Sequence, residues 1–414
     1  MSQTMFLLWI PVAHHLMDDT QANIAARYDW GYLSNNDPLN PDGSVNYGPY
    51  ITLSDRLRTL NPNHKTGWFA GGIGAQRPID PLWPWLRDDF ILHLPDGQPI
   101  VPELPGKFIN WMSRTVCYDL ADNIAAFLES KGWHGIAFDS YAPNEWASWI
   151  QNLAGSPGCR EGPANTTVWW EEALMQGSEI LRTVLSRYGF EVIVNGIAPG
   201  EQHGSLGMAR VNAADYASGM LYEMGHRFKT NPAYTTSMLS AISQVTAKRR
   251  MVHDFVQPRV ASATGDPPPN EADPQAIIDD HRLHFARYLL TWESPYTLFG
   301  LHPYKPYSAW DQDIEPIQIK MHWSDDWHAA RELGPPLGTY FWVGETDPNG
   351  ADLWVRHYAR GLVLVNPTNG NQTYGWAGIG RLWERNNPVA RVIDTRAGGQ
   401  LIVSPFSGWL IWTG

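Results

Sequence analysis

The stretch Lys131–Tyr141, KGWHGIAFDSY, passes through small and apolar residues and stops on a carboxylate, Asp139. A short apolar run bounded in this way reads as a buried strand. An acid at its end is costly unless its chemistry is used or its charge is matched. Outward from this point, apolar runs of strand length alternate with longer segments of helical periodicity as far as Leu333. The strands expected are Met5–Ile10, Thr66–Gly71, Phe108–Met112, Gly135–Asp139, Glu191–Asn195, Gly219–Glu223, Met251–Val256 and Tyr296–Leu301. Between them, Asp119–Ser130, Thr167–Tyr188, Thr235–Arg249 and Pro274–Thr291 carry the charged and apolar spacing of amphipathic helices. Eight such units predict an α/β fold, a parallel (β/α)8 TIM barrel.

The pattern changes after Leu333-Gly334-Pro335-Pro336, a punctuation that cannot continue a helix. Beyond it, GTYFWV, LWVRHY, GLVLVNP, ARVID and LIVSPFSGWLIW are short strands divided by Gly, Pro and Asn turns. The expectation is a catalytic barrel over residues 1–333 and a small antiparallel, β-sandwich-like domain over 337–414. The Pro-rich piece Ser262–Pro274 follows the seventh expected strand, where it forms either a lid or a plain surface loop.

Composition narrows the function. At 414 residues and 43% hydrophobic, the chain is long enough for one large core and a smaller one. Only 17% of residues are charged and the net charge is −12, so there is no basic stripe to meet nucleic acid or an anionic membrane. No run approaches the ~20 apolar residues of a membrane-spanning helix. The opening MSQTMFLLWIPVAHH has no Lys or Arg before its apolar run, a proline inside it and no small-residue cleavage site, so a first core strand is expected there rather than a secretory leader. Cys117 and Cys159 are expected to be free thiols. Compartment and oligomeric state are left open.

In a parallel barrel the C-terminal ends of the strands face the mouth, so an acid placed there faces a concave site. Asp139 is therefore read as a functional carboxylate. The alternative, a helix N-cap, is disfavoured by the irregular DSYAPNEW that follows. Glu223 closes a second small and apolar run, ASGMLYEMG, two βα units later. On the fourth and sixth strands, the two acids would share one mouth. That is the minimum equipment for cleaving a glycosidic bond, one group attacking and the other moving protons. Asp254, in MVHDFV, is the best substitute, and otherwise makes a salt bridge or a substrate hydrogen bond.

These motifs resemble those of hypothetical glycosyl hydrolases related to the alpha-galactosidase superfamily, and more distantly the endo-alpha-1,4-polygalactosaminidases. Gly135–Asp139 matches the strand that carries one catalytic carboxylate there, and Gly219–Glu223 matches the strand that carries another in the polygalactosaminidase-like branch. The segment RGLVLVNPTNGNQT (Arg360–Thr373) resembles the β segment that follows the barrel. The resemblance implies a retaining mechanism with Asp139 as nucleophile and Glu223 as acid/base. Glu223 departs from the alpha-galactosidases, which use Asp in the second role.

Twenty-one tryptophans suit a carbohydrate ligand, since indole faces stack on sugar rings. Trp30, Trp111, Trp146 and Trp149 are read equally as platforms or as packing. Asn195, ending EVIVN, is either a donor to a sugar hydroxyl or a turn residue, and Tyr32, Tyr141 and Tyr222 are weaker ligands. No cofactor is expected. A metal is not expected either: His14 and His15 are adjacent and point to opposite faces of an extended chain, while His281 and His284 lie on a packing helix.

Overall fold

The computed structural model describes residues 7–10, 19–34, 40, 45–72, 75–76, 80–100, 106–139, 159–162, 166–195, 216–222, 232–256, 274–301, 330–344, 352–384 and 387–413. The elements begin β1 (Leu7–Ile10), α1 (Asp19–Ala25), β2 (Trp30–Ser34), α2 (Gly48–Leu60), β3 (Lys65–Gly72), β4 (Ala75–Gln76), β5 (Lys107–Phe108) and α3 (Arg114–Lys131). They continue β6 (Gly135–Asp139), α4 (Thr166–Leu185), β7 (Glu191–Asn195), β8 (Gly219–Tyr222), α5 (Pro232–Ala247), β9 (Met251–Val256), α6 (Pro274–Thr291) and β10 (Thr297–Leu301). The eight long strands lie in the order β1-β2-β3-β6-β7-β8-β9-β10, parallel at each of the first five pairings. This is a TIM barrel, as the alternation predicts.

One expected strand is misplaced. Residues 108–112 do not enter the barrel. Lys107–Phe108 pairs antiparallel with Ala75–Gln76, and Ile109 bridges Ile91. The second barrel strand is Trp30–Ser34, which follows a helix of only seven residues. The two differences cancel in the count, so Gly135–Asp139 and Gly219–Tyr222 are still the fourth and sixth strands.

The barrel strands have distinguishable faces. Tyr32 on β2 reaches His253 on β9, between the second and seventh strands of the order, so both point into the barrel. Gly67 and Phe69 of β3 meet Tyr32 on the same inner face. Trp68 points the other way, to Tyr50 of α2 and to Trp133, on which it stacks. The glycine at 67 is needed, because a Cβ there would press on the Tyr32 ring.

The C-terminal strands are β11 (Phe341–Val343), β12 (Leu353–Tyr358), β13 (Gly361–Asn366), β14 (Gln372–Gly375), β15 (Ile379–Glu384), β16 (Asn387–Asp394), β17 (Gln400–Val403) and β18 (Ser407–Trp412). Six form an antiparallel sheet in the order β11-β12-β13-β18-β15-β16, and β14 pairs with β17. Leu353, Val355, Leu362, Leu364, Val403 and Ile411 centre their core. The stretch read as one strand, LIVSPFSGWLIW, is two, divided by a turn in which Phe406 has a positive φ of 44°. Arg356 of β12 donates to the carbonyls of Leu289 (3.2 Å) and Trp292 (2.7 Å) at the end of α6, and the Tyr358 hydroxyl donates to Leu289 as well.

The chain divides into two compact units, Phe6–Glu223 with Gln244–His253, and Met1–Met5 and Met224–Ser243 with Asp254–Gly414. α6 and β10 thus group with the C-terminal strands. Ser262–Pro274 lies outside the described residues but for its last member, the first residue of α6.

Candidate active site

Local signals fix the entry to β6. Ser113 caps α3 by accepting the Val116 amide, Gly132 ends the helix with a left-handed φ of 65°, and the His134 amide donates to Thr66 on β3. Gly135, Ile136, Ala137 and Phe138 are then buried, and Asp139 is half-buried where the strand emerges. Its ladder partner is Gly72, just after a bulge in β3. The ladder between β6 and β7 stops at Phe138 and Val194, and a side chain makes the next link. Asn195, 2% exposed, donates from Nδ2 to Asp139 Oδ1 at 2.9 Å. Two residues that the sequence offers separately are therefore one unit.

On the next strand Asn195 pairs with Leu221, followed by Tyr222. Glu223, Tyr141, Trp146 and Trp149 lie outside the described residues, as does the side chain of Tyr222.

Asp254 has another partner than a sugar. His253 points inward, so the next residue points to the opposite face of β9. There Asp254 takes both bonds from Nη2 of Arg287 on α6, at 2.7 and 2.5 Å, with both residues almost wholly buried. Burial raises the Asp254 pKa, and the guanidinium opposes that rise. Trp111 is fully buried where α3 begins, against Gly177 of α4. Trp30 and Tyr32 are 1% and 0% exposed in the barrel interior, so both fill the core. The Tyr32 hydroxyl lies 2.9 Å from His253 Nδ1.

One acid near the mouth escapes sequence reading. Asp80, 3% exposed, lays its carboxylate over Gly71, next to the residue that pairs with Asp139. The one available signal is the glycine pair Gly71-Gly72, whose first member leaves room for it. Cys117 and Cys159 are free and buried, and burial pushes the Cys117 thiol up to about 12. Among the described residues no cluster of His, Cys, Asp and Glu is arranged to hold a metal ion, and no helix is long and apolar enough to cross a membrane.

No protein-family model and no curated protein matches the chain. Solved structures do match over its whole length. A noncanonic maltogenic alpha-amylase from Thermotoga neapolitana is 8% identical, with a TM-score of 0.60 and 99% of each chain covered. An alpha-amylase from Geobacillus thermoleovorans, complexed with acarbose, is 12% identical with a TM-score of 0.56, covering 99% of this chain and 98% of that one. A GH36 alpha-galactosidase from Geobacillus stearothermophilus is 12% identical with a TM-score of 0.51, and this chain covers 56% of its length. At these identities the likeness is one of architecture: the chain has the general fold of amylase and alpha-galactosidase glycosidases, a TIM barrel followed by a C-terminal β domain.

Proposed function

We propose that the protein is a glycoside hydrolase that cleaves a glycosidic bond in an oligo- or polysaccharide with retention of configuration. Asp139 acts as nucleophile and Glu223 as acid/base, within a barrel over residues 1–333 that is followed by a β domain over 337–414. The observation that carries this reading is the Asn195–Asp139 hydrogen bond at the open ends of adjacent strands. A donor aimed at one carboxylate oxygen favours its ionised form and fixes the direction of the other oxygen, as attack on an anomeric carbon requires. Glu223 directly follows β8, the strand beyond β7, and gives the sixth strand an acid to match Asp139 on the fourth. The glycosidase architecture supports a carbohydrate substrate. The link to the endo-alpha-1,4-polygalactosaminidases rests on the short motifs Gly135–Asp139 and Gly219–Glu223 alone.

A retaining pair stands ~5 to 5.5 Å apart, whereas an inverting pair leaves ~6.5 to 9.5 Å for a water. The test begins with a library of plant, bacterial and fungal glycans that includes raffinose, stachyose and maltooligosaccharides. On the glycan best cleaved, Asp139→Asn and Glu223→Gln should each lower turnover by several orders of magnitude while the fold survives. NMR of the freshly released sugar should show the anomer of the substrate. An inverted first product would remove Asp139 from the nucleophile's role, and a fully active Asp139→Asn would remove it from catalysis.

A further inference from the structure

The inner face of the barrel can be followed from strand to strand by register. Phe69 of β3 pairs with Ala137 of β6, and Ala137 pairs with Ile193 of β7. Residues paired in this way share a face, as do residues two apart on one strand. Phe69 shares the inner face with Tyr32, so Asp139 and Asn195 also point inward, one step nearer the open strand ends. The wall formed by these three strands therefore has two tiers. The upper carries the bonded pair Asp139 and Asn195, and the lower carries the apolar side chains of Phe69, Ala137 and Ile193. Beneath them Trp30 and Tyr32 fill the interior, with the Tyr32 hydroxyl against His253.

One side chain of the lower tier is not covered. From Thr66 to Gly71 every other residue is buried, and Ala137 and Ile193 on the neighbouring strands are 0% exposed, whereas Phe69 is half-buried. The Phe69 ring makes a T-shaped contact with the ring of Tyr32, at 6.5 Å between centroids, so it is held from the core side. Its ladder neighbour Ala137 has only a methyl group with which to cover it. Leaving an aromatic ring in water costs free energy that is recovered when an apolar surface covers it, and the C–H face of a pyranose is such a surface. Neighbouring strands stand ~4.8 Å apart and two residues advance ~6.6 Å along one, which puts Phe69 and Asp139 about 8 Å apart by backbone, the scale of one sugar ring.

We propose that Phe69 is the floor of the sugar subsite at Asp139: its ring takes the C–H face of the pyranosyl unit whose anomeric carbon the carboxylate attacks. The unit it accepts turns an uncharged face toward the barrel, because the side chains of the lower tier neither donate nor accept a hydrogen bond. The proposal rests on the catalytic reading of Asp139.

Steady-state kinetics on full-length wild type, Phe69→Leu, Phe69→Ala and Asp139→Asn test it, using the glycan best cleaved in the screen above. Phe69→Leu keeps an apolar side chain of similar bulk but no flat face, and its kcat/KM should fall about tenfold, the scale of an aromatic contact beyond simple burial. Phe69→Ala should lose at least as much. Proton NMR supplies a readout that a packing role would not move: in the Asp139→Asn protein, C–H protons of the bound glycan should shift upfield in the ring current of Phe69, and in Asp139→Asn with Phe69→Leu that shift should vanish. A Phe69→Leu protein with wild-type kcat/KM overturns the proposal, as does an upfield shift that survives the loss of the ring. A kcat/KM that falls only in proportion to an unfolded fraction seen by circular dichroism overturns it as well. If Asp139→Asn is inactive while Phe69→Leu is normal, this proposal alone fails. If Asp139→Asn is fully active, or wild type cleaves nothing in the library, the catalytic reading fails and takes the subsite floor with it.

Discussion

The Tyr32 hydroxyl meets Nδ1 of His253 at 2.9 Å across the barrel, and neither side chain has any exposed surface. A charged imidazole would have to be held there without water. Burial, aided by the positive charge of Lys65, accordingly lowers the His253 pKa from 6.5 to about 3. His64 behaves alike. Burial lowers it to about 4, although its Nδ1 lies 2.9 Å from the Tyr28 carbonyl.

Both histidines therefore take up protons more readily in the unfolded chain than in the folded one. Their stabilisation is complete above pH 6.5 and is lost as the pH falls from there toward 3 for His253 and toward 4 for His64. Each contributes at most ~1.4 kcal/mol per pH unit to this slope. Urea titrations at pH 7 and pH 5 should show wild type losing stability, and His253→Gln losing roughly 1 to 2 kcal/mol less. Equal losses in the two proteins would remove His253 as a source of the slope.

Arg287 and Asp254 should behave as a buried pair that is worse broken than absent. Arg287→Met alone leaves a carboxylate without its counter-charge and should cost about 3 to 5 kcal/mol in denaturant unfolding. Asp254→Leu combined with Arg287→Met should recover most of that loss. The folded double variant should keep the turnover of wild type, since neither side chain faces the barrel interior. A large fall in kcat without a fall in stability would return Asp254 to the active site.

Gly71 should tolerate no side chain while Asp80 is in place. A Cβ would run into that carboxylate, so Gly71→Ala should lower stability by about 1 to 3 kcal/mol, the usual cost of overpacking. Asp80→Gly in the same chain should relieve the clash, giving a coupling visible in thermal unfolding. Additive effects of the two substitutions would mean that the carboxylate simply swings aside.

How far the sequence could be read depended on what each residue had to signal. Gly135–Asp139, Glu191–Asn195, Met251–Val256 and Pro274–Thr291 fall where expected, because each is an apolar or amphipathic run with clear punctuation. Trp30–Ser34 was not legible: it is five residues with an internal glycine, and the helix before it is too short to show a period. FINWM misleads because its backbone pairs within the connection between β3 and α3, where the Leu92 amide donates to the Phe108 carbonyl and the Asn110 amide to that of Phe90, and its Trp111 packs against Gly177 of α4. At the site, Asp139 and Asn195 could be found as strand-end polar residues, but their bond needed the register of β6 against β7. For Asp254 the difficulty was parity. One step along a strand exchanges inside for outside, and MVHDFV does not say which of His253 and Asp254 turns inward.

The capping of α6 by Arg356 bears on how the chain is made. The carbonyls of Leu289 and Trp292 are satisfied by a residue 67 and 64 positions later. A nascent chain emerging N-terminus first carries those helix-end groups without the Arg356 donors until β12 has left the ribosome. A gene cut after Leu333 would leave them so permanently. Barrel and C-terminal strands should therefore be inherited, expressed and recombined as one piece, and a fragment ending at the Gly334-Pro335 punctuation should accumulate as aggregate.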